Sequence, residues 1–390
     1  MSPRKVYMDH SATTLVDGSV LERMLPFFSE KFGNPNSVHA WGREVRASVE
    51  EARASVARLV NAEPREILFT GGGSEADNLA IKGVAEALAE KGRHVVTTAI
   101  EHHAVLDTVK WLGKHGYDVT ILPVDRDGLV DIEVFRNALR PDTILATVMA
   151  ANNEVGTIQP IREMGMTCRE RGILFHTDGV QAAGHIPLDV KDLPIDLMTM
   201  AAHKMYGPKG VGALFVRKGV RILPLVHGGG QEFGLRSGTE NTAGLVGFGA
   251  AAELAMRRMA AGEIEEERRL RDRLIEGVLS RIEDVTLTGH RTLRLPFHAS
   301  FCIRYIEGEA MLLRLDFAGI GASSGSACTS GSLEPSYVLL AMGLDHATAH
   351  GSLRLTLGKE TSEGDIDFIL ETLPPIVQTL RSMSPFKKNA

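Results

Sequence analysis

Cysteine is scarce in this chain. Three occur in 390 residues, Cys168, Cys302 and Cys328, and no two form a CxxC pair. That spacing argues against a zinc site or a disulfide framework. Positive charge is not in excess: the formal net charge is −6, which gives no electrostatic case for binding nucleic acid or an anionic membrane surface. No run approaches the ~20 apolar residues of a membrane span, and the N-terminus has no apolar signal-peptide core. Internal repeats and low-complexity tracts are also missing. These absences describe a cytoplasmic protein with reduced thiols, engaging neither nucleic acid nor membrane.

What is present is ordinary globular material, 44% hydrophobic and 24% charged, in a length that suits roughly two domains. The 40 glycines fall partly in short clusters at 71–73, 228–230 and 319–331. Such clusters suggest backbone approaching a ligand.

Strand and helix patterns alternate. Strands are predicted at 66–70, 94–98, 118–122, 143–149, 173–177 and 197–200, with helices at 40–59, after the turn 71–75 to about 90, at 104–115, at 132–139 and ending near 171. Alternation of this kind implies an α/β fold with a mainly parallel sheet covered on both faces. A long helix is predicted from about 241 through the charged run 263–273, that run forming a solvated face. Beyond it the composition fits a smaller α+β domain, with strands near 300–305 and 352–357 and helices near 309–318 and 365–380. The expected division is a large domain over 15–253 and a small one over 1–14 and 254–390.

In such sheets ligands lie beyond the strand ends, and the polar clusters fall there. The apolar run 197–200 leads into His203, Lys204 and a Gly/Pro-rich turn at 207–212. A desolvated lysine amine is a nucleophile towards aldehydes. The strand at 66–70 runs into Gly71-Gly72-Gly73-Ser74 and then a helix. This turn has neither the GK[ST] of a Walker A loop nor a dinucleotide fingerprint, yet free N–H groups and the helix dipole make it an anion site. Ser74 is placed either to cap the helix or to donate to a phosphate oxygen. Glu101-His102-His103, Asn152-Asn153-Glu154 and Asp178 with Gln181 follow other strands. A Schiff-base lysine, a strand-end carboxylate, an imidazole and a phosphate cup are together what pyridoxal 5'-phosphate requires: the carboxylate keeps the pyridine nitrogen protonated so that the ring accepts electrons.

Nearly the whole chain resembles the pyridoxal-phosphate cysteine desulfurases of the NifS/IscS type, in the fold type I, class V aminotransferase superfamily. The motifs that carry the likeness are YMDHSATT, FGNPNSVH, GGGSEADNLAIKG, EHHAVL, ANNEVGTIQP, HTDGVQAAG, AHKMYGPKGVGAL, GGGQEFGLRSGTEN and SSGSACTSGSLEPS. The resemblance implies a large domain with a mostly parallel seven-stranded sheet flanked by helices, plus a smaller α+β domain carrying Cys328. It implies that Lys204 bonds the cofactor as a Schiff base and moves protons on the substrate. Asp178 would pair with the pyridine nitrogen, Gln181 with the phenolate oxygen, and His102 would stack on the ring and serve acid–base steps. Gly73, Ser74 and His203 would hold the phosphate, with Thr239 from the partner subunit of a homodimer. Asn153 and Arg354 would hold L-cysteine, Arg354 gripping its carboxylate with help from Asn34. Cys328 would be the nucleophile that takes the sulfur as a persulfide and passes it to an acceptor protein such as an iron–sulfur scaffold. Its loop of small polar residues can swing between cofactor and acceptor. Cys168 and Cys302 lie in helix and strand patterns and read as structural.

Two positions depart from the family pattern. Many members carry serine where this chain has Ala201, so one phosphate hydrogen bond is expected to be missing. Phe233 stands where arginine is frequent. Two other readings remain open on the sequence. A selenocysteine lyase or another class V enzyme shares most of these residues. A scaffold or delivery protein would use Cys328 as an iron–sulfur cluster ligand, but would have no need of Lys204.

Overall fold

The structure, a computed structural model, describes residues 4–325 and 334–384. In chain order its strands are β1 (Val6–Tyr7), β2 (Ile67–Thr70), β3 (His94–Thr98), β4 (Asp118–Leu122), β5 (Thr143–Thr147), β6 (Leu174–Asp178), β7 (Leu197–Ala201), β8 (Gly212–Val216), β9 (Val285–Leu287), β10 (His298–Ile303), β11 (Ile320–Gly321) and β12 (Ser352–Thr356). Seven of them form the central sheet in the order β2-β8-β7-β6-β5-β3-β4. From β7 to β4 every pairing is parallel. β8 alone runs against its neighbours β2 and β7. The α/β architecture with a mostly parallel seven-stranded sheet is therefore as the sequence implies. The reversed strand is the exception: Gly212–Val216 follows the glycine turn so closely that the local pattern reads only as a turn, and long-range pairing makes it a strand.

Alternation along β7 explains the two-sided cover. Leu197 joins one apolar cluster, with residues of the helices Gly73–Ala87 and His103–Gly113, while Met198 and Met200 join the other, with residues of the helices Ala40–Leu59 and Thr242–Ala260. Those last two helices pack closely at Gly249, where a Cβ would stand 2.6 Å from the Cα of Ala52.

The remaining strands build a three-stranded antiparallel sheet, β12-β10-β9, and a two-stranded parallel one, β1-β11. The helices Glu263–Arg281, Gly308–Phe317 and Glu363–Met383 accompany them. The N-terminal segment runs from this region to the central sheet: Asp9 bridges to Thr356, and the Thr14 amide donates to the His203 carbonyl at 3.0 Å.

One helix expectation fails. The single long helix through 273 is two, Thr242–Ala260 and Glu263–Arg281, separated at Gly262, which sits in the left-handed region at φ 77°. Glycine adopts that conformation without a Cβ penalty, and Glu263, Glu265 and Glu266 then favour a fresh helix start. Nor is the charge run wholly solvated. Glu267 and Arg271 are buried, and Glu267 pairs with the buried Arg258.

Candidate active site

Parallel strands deliver their last residues to one edge of the sheet, where loops and helix starts leave room for a ligand. β6 ends in Asp178 and β7 in Ala201, and a 3₁₀ turn, Ala202–Lys204, follows β7 directly. The helix after β2 starts at Gly73, and His102 caps the helix after β3. Between these ends lies a cavity of about 300 Å³. Gly73, Ser74, His102, Asn153 and Asp178 line it, as do Gln181, His203, Lys204 and Arg354. Larger clefts of about 440 and 530 Å³ lie elsewhere, but this smaller one is where the lysine, the carboxylate and the imidazole meet.

Lys204 Nζ donates to the backbone carbonyl of Ser11 and, at 2.8 Å, to that of Ala12. Gln181 Nε2 donates to the same Ser11 carbonyl at 3.0 Å. The segment 9–14 thus forms one wall. Thr13 Oγ1 lies 3.1 Å from His203 Nδ1, and burial pushes the His203 imidazole down to about 4, helped by the nearby Lys204 and Lys209 charges. His203 is neutral at physiological pH.

Burial raises the Asp178 carboxyl, against the pull of His102, Lys204 and a hydrogen bond from the Val180 amide at 2.9 Å. Asp77 lies behind it on the helix Gly73–Ala87, buried, and its carboxyl is raised well above the usual range by burial and by Asp178. His102 and Lys204 hold the Asp178 carboxyl down while no cation lowers Asp77, so Asp77 is the more strongly raised of the two. Burial lowers His102, and its Nδ1 accepts the Ala104 amide at 3.1 Å.

The helix Gly73–Ala87 has Gly72 at its N-cap and no side-chain cap. Ser74 is therefore inside the helix rather than capping it, and the first N–H groups are left for an anion. Gly73 fits closely: a Cβ there would stand 3.0 Å from Val180 Cγ2 and 3.7 Å from the Ala201 methyl. On the opposite side Arg354, fully buried, donates to the Asn153 carbonyl at 3.0 Å and pairs with Asp9 at 2.8 Å. Arg354 Nε and Asn153 Oδ1 are buried without a hydrogen-bond partner among the described residues. A buried donor and acceptor left open at a cavity wall are what a bound polar ligand satisfies.

Two expected residues are elsewhere on the single chain. Asn34 is exposed, its Oδ1 accepting the Asn36 amide at 2.9 Å. Thr239 is exposed too, next to Glu240, which accepts from Asn36 Nδ2 at 3.0 Å. Cys328, in its roles as nucleophile and as metal ligand, lies outside the described residues. Cys168 and Cys302 are buried, and burial holds both thiols protonated. Among the described residues no group of three His, Cys, Asp or Glu side chains is placed to hold a metal ion, and no helix is long and apolar enough to cross a membrane. The local sequence pattern does not single out the Ser11 and Ala12 carbonyls, Asp9 or Asp77. Their roles come from backbone atoms or from partners far along the chain. The one sequence signal for that wall is the motif YMDHSATT at residues 7–14.

The model of the aminotransferase class-V family matches residues 6–369. A cysteine desulfurase IscS of Clostridium botulinum is 56% identical over 384 residues, covering 98% of this chain and 96% of that protein. Among solved structures, a NifS-like protein superposes with a TM-score of 0.91 at 39% identity, over 97% of this chain and 100% of that one. SspA in complex with cysteine superposes with a TM-score of 0.80 at 36% identity, over 92% of this chain and 100% of that one.

Proposed function

Because the chain belongs to the class-V aminotransferase family, and within it to the NifS/IscS-type cysteine desulfurases, we propose that the cavity at the sheet edge binds pyridoxal 5'-phosphate and L-cysteine and releases L-alanine. The residues present fit the cofactor. Lys204 would hold it covalently, with Asp178 at its pyridine nitrogen, His102 on its face and Gln181 at its phenolate. Its phosphate would meet the uncapped helix start at Gly73 and Ser74, and His203. When bound, the group supplies an electron sink for the carbanion left when the α-proton departs.

The protein's own residues do the rest. Arg354 and Asn153 bind the substrate carboxylate, the open Nε of Arg354 being the donor still unused. Lys204 moves the proton at the substrate α-carbon, and His102 exchanges protons beside it. The Cys328 thiolate attacks the substrate sulfur. As the S–S bond forms, the C–S bond breaks with its electron pair left on carbon, which is protonated to give alanine. Cys328 then carries a persulfide for an acceptor protein, such as an iron–sulfur scaffold. Only the thiolate is nucleophilic enough for this step.

A homodimer completes the site. Leu25, Phe28, Phe32, Val38 and Trp41 are all more than half exposed on one chain, an apolar surface of the kind that partners cover. Thr239 of the partner subunit would then reach the phosphate. The large domain would comprise 15–253, and 1–14 with 254–390 the small one.

The observation that carries this reading is Lys204 in one cavity with Asp178, His102 and Arg354. The test is alanine and sulfide release from L-cysteine plus reductant, with the visible spectrum recorded, for the wild type and Cys328→Ala. The wild type is expected to turn over. The variant is expected to change its spectrum with cysteine but release no sulfide. A yellow wild type inert towards cysteine would sink the reading.

A further inference from the structure

Glu154 has no part in the reaction just described, yet it is a carboxyl only 2% exposed. Burying a carboxyl costs free energy that an apolar side chain of the same size would not, so its contacts should account for it. Its backbone N–H donates to Asn152 Oδ1 at 2.8 Å, which sets it one residue past Asn153 at the cavity wall. Its side chain turns to the two ends of the stretch that holds Cys328.

At the far end, Ser336 Oγ donates to Glu154 Oε2. The same hydroxyl accepts the Leu339 amide at 3.2 Å as the N-cap of the helix Tyr337–Ala341, which directs its own proton to Glu154. At the near end is Gly325. A Cβ there would stand 2.8 Å from Glu154 Oε2 and 2.9 Å from the Ser336 Cβ, so only glycine lets the chain lie against both. The near end is tied further to β12. Gly325 N–H donates to Ser352 Oγ at 3.3 Å, and Ser323 exchanges backbone hydrogen bonds of 3.3 and 2.6 Å with Arg354. One carboxyl therefore contacts the chain just before residue 326 and just after residue 333, and sits beside the residues proposed to bind substrate.

We propose that Glu154 is a positioning residue. By accepting from Ser336 and packing on Gly325 it holds together the two ends of the stretch that carries Cys328, and so sets the rate of sulfur transfer to Cys328 without contributing to cysteine binding. This rests on the desulfurase reading, with Cys328 as the sulfur acceptor. The acceptor oxygen is what matters, and an amide oxygen supplies it too.

The test uses the holoenzyme with Glu154→Ala, Glu154→Gln and Ser336→Ala, with Cys328→Ser as reference. Cysteine affinity is read from the visible spectrum, and the first-turnover rate from alkylation and mass measurement of persulfide on Cys328. Misplacing a reacting group by about 1 Å can cost up to ~100-fold. Glu154→Ala and Ser336→Ala are therefore expected to slow persulfide formation by about 10-fold or more, with affinity within about two-fold of wild type. Glu154→Gln is expected to stay within about three-fold of the wild-type rate. An alanine variant as fast as wild type, a glutamine variant as slow as alanine, or a rate loss matched by an equal loss of affinity would each overturn the proposal. Should Glu154→Ala fail to fold, Ser336→Ala decides. If the wild type itself forms no persulfide on Cys328, the desulfurase reading fails first and this inference with it.

Discussion

At the scale of single residues, the site works through buried groups whose charge is set by their neighbours. Glu101 precedes His102 and accepts from the Thr98 hydroxyl at 2.8 Å and the Met149 amide at 2.9 Å. Burial nevertheless raises its carboxyl to about 8, against an ordinary value of 4.5. The folded state therefore holds this proton more tightly than the unfolded one. The stability it contributes is fully present below about 4.5 and is lost as pH rises towards about 8, by roughly 1.4 kcal/mol per pH unit inside that window. Glu101→Gln keeps an acceptor oxygen and cannot ionise. Its denaturation midpoint is expected to gain on the wild type as pH goes from acid to mildly alkaline. Parallel midpoints for the two proteins across that range would refute the assignment. Lys204, Asp178 and Arg354 were each legible as strand-end chemistry or by family likeness. Asp77, whose buried carboxyl is raised in part by Asp178, was not legible, because such coupling depends on which groups face each other.

At the scale of elements, a buried ion pair pins the helix Ala40–Leu59 to the edge of the central sheet. Arg53 forks onto both oxygens of Glu232 at 2.6 and 2.8 Å. Glu232 also accepts the Phe69 amide of β2 at 2.8 Å, and Arg53 donates to the Ile67 carbonyl at 2.9 Å. Both side chains are 4% exposed, so removing one leaves the other buried and uncompensated. Glu232→Ala is expected to destabilise the fold by about 3–5 kcal/mol. The Arg140–Asp118 pair is exposed and contributes little to stability, so Asp118→Ala serves as the control. A loss at Glu232 no larger than the control's would count against the pin. The segment bearing Glu232 reads in sequence only as a glycine-rich loop. That it turns inward, with Glu232 and Phe233 at φ 45° and 58°, is decided by Arg53 nearly 180 residues away. Phe233 itself lies 5.3 Å from the Arg53 guanidinium, which gives the aromatic ring a cation partner.

At the scale of the whole molecule, the exposed apolar stretch from Leu25 to Trp41 and the absence of Thr239 from the cavity of one chain have a common explanation in a dimer. Sedimentation velocity is expected to show a dimer at micromolar concentration. Trp41→Glu is expected to shift it to monomer and to speed cofactor loss, since Thr239 of the partner subunit would be withdrawn. A monomeric wild type that retains its cofactor would refute this.

Sequence alone determined the alternating α/β pattern, six of the seven strands of the central sheet, the family and most of the residues gathered at the cavity. These depend on local periodicity and on side chains the chemistry cannot replace. Tertiary structure decided the reversal of β8, the break at Gly262, the burial of Glu267 and Arg271, the wall formed by residues 9–14, and the placement of Glu154 between Gly325 and Ser336. Each of these is set by a partner distant in sequence or by a backbone atom. A backbone carbonyl is the same in every residue type, so only the fold can say which one faces the lysine.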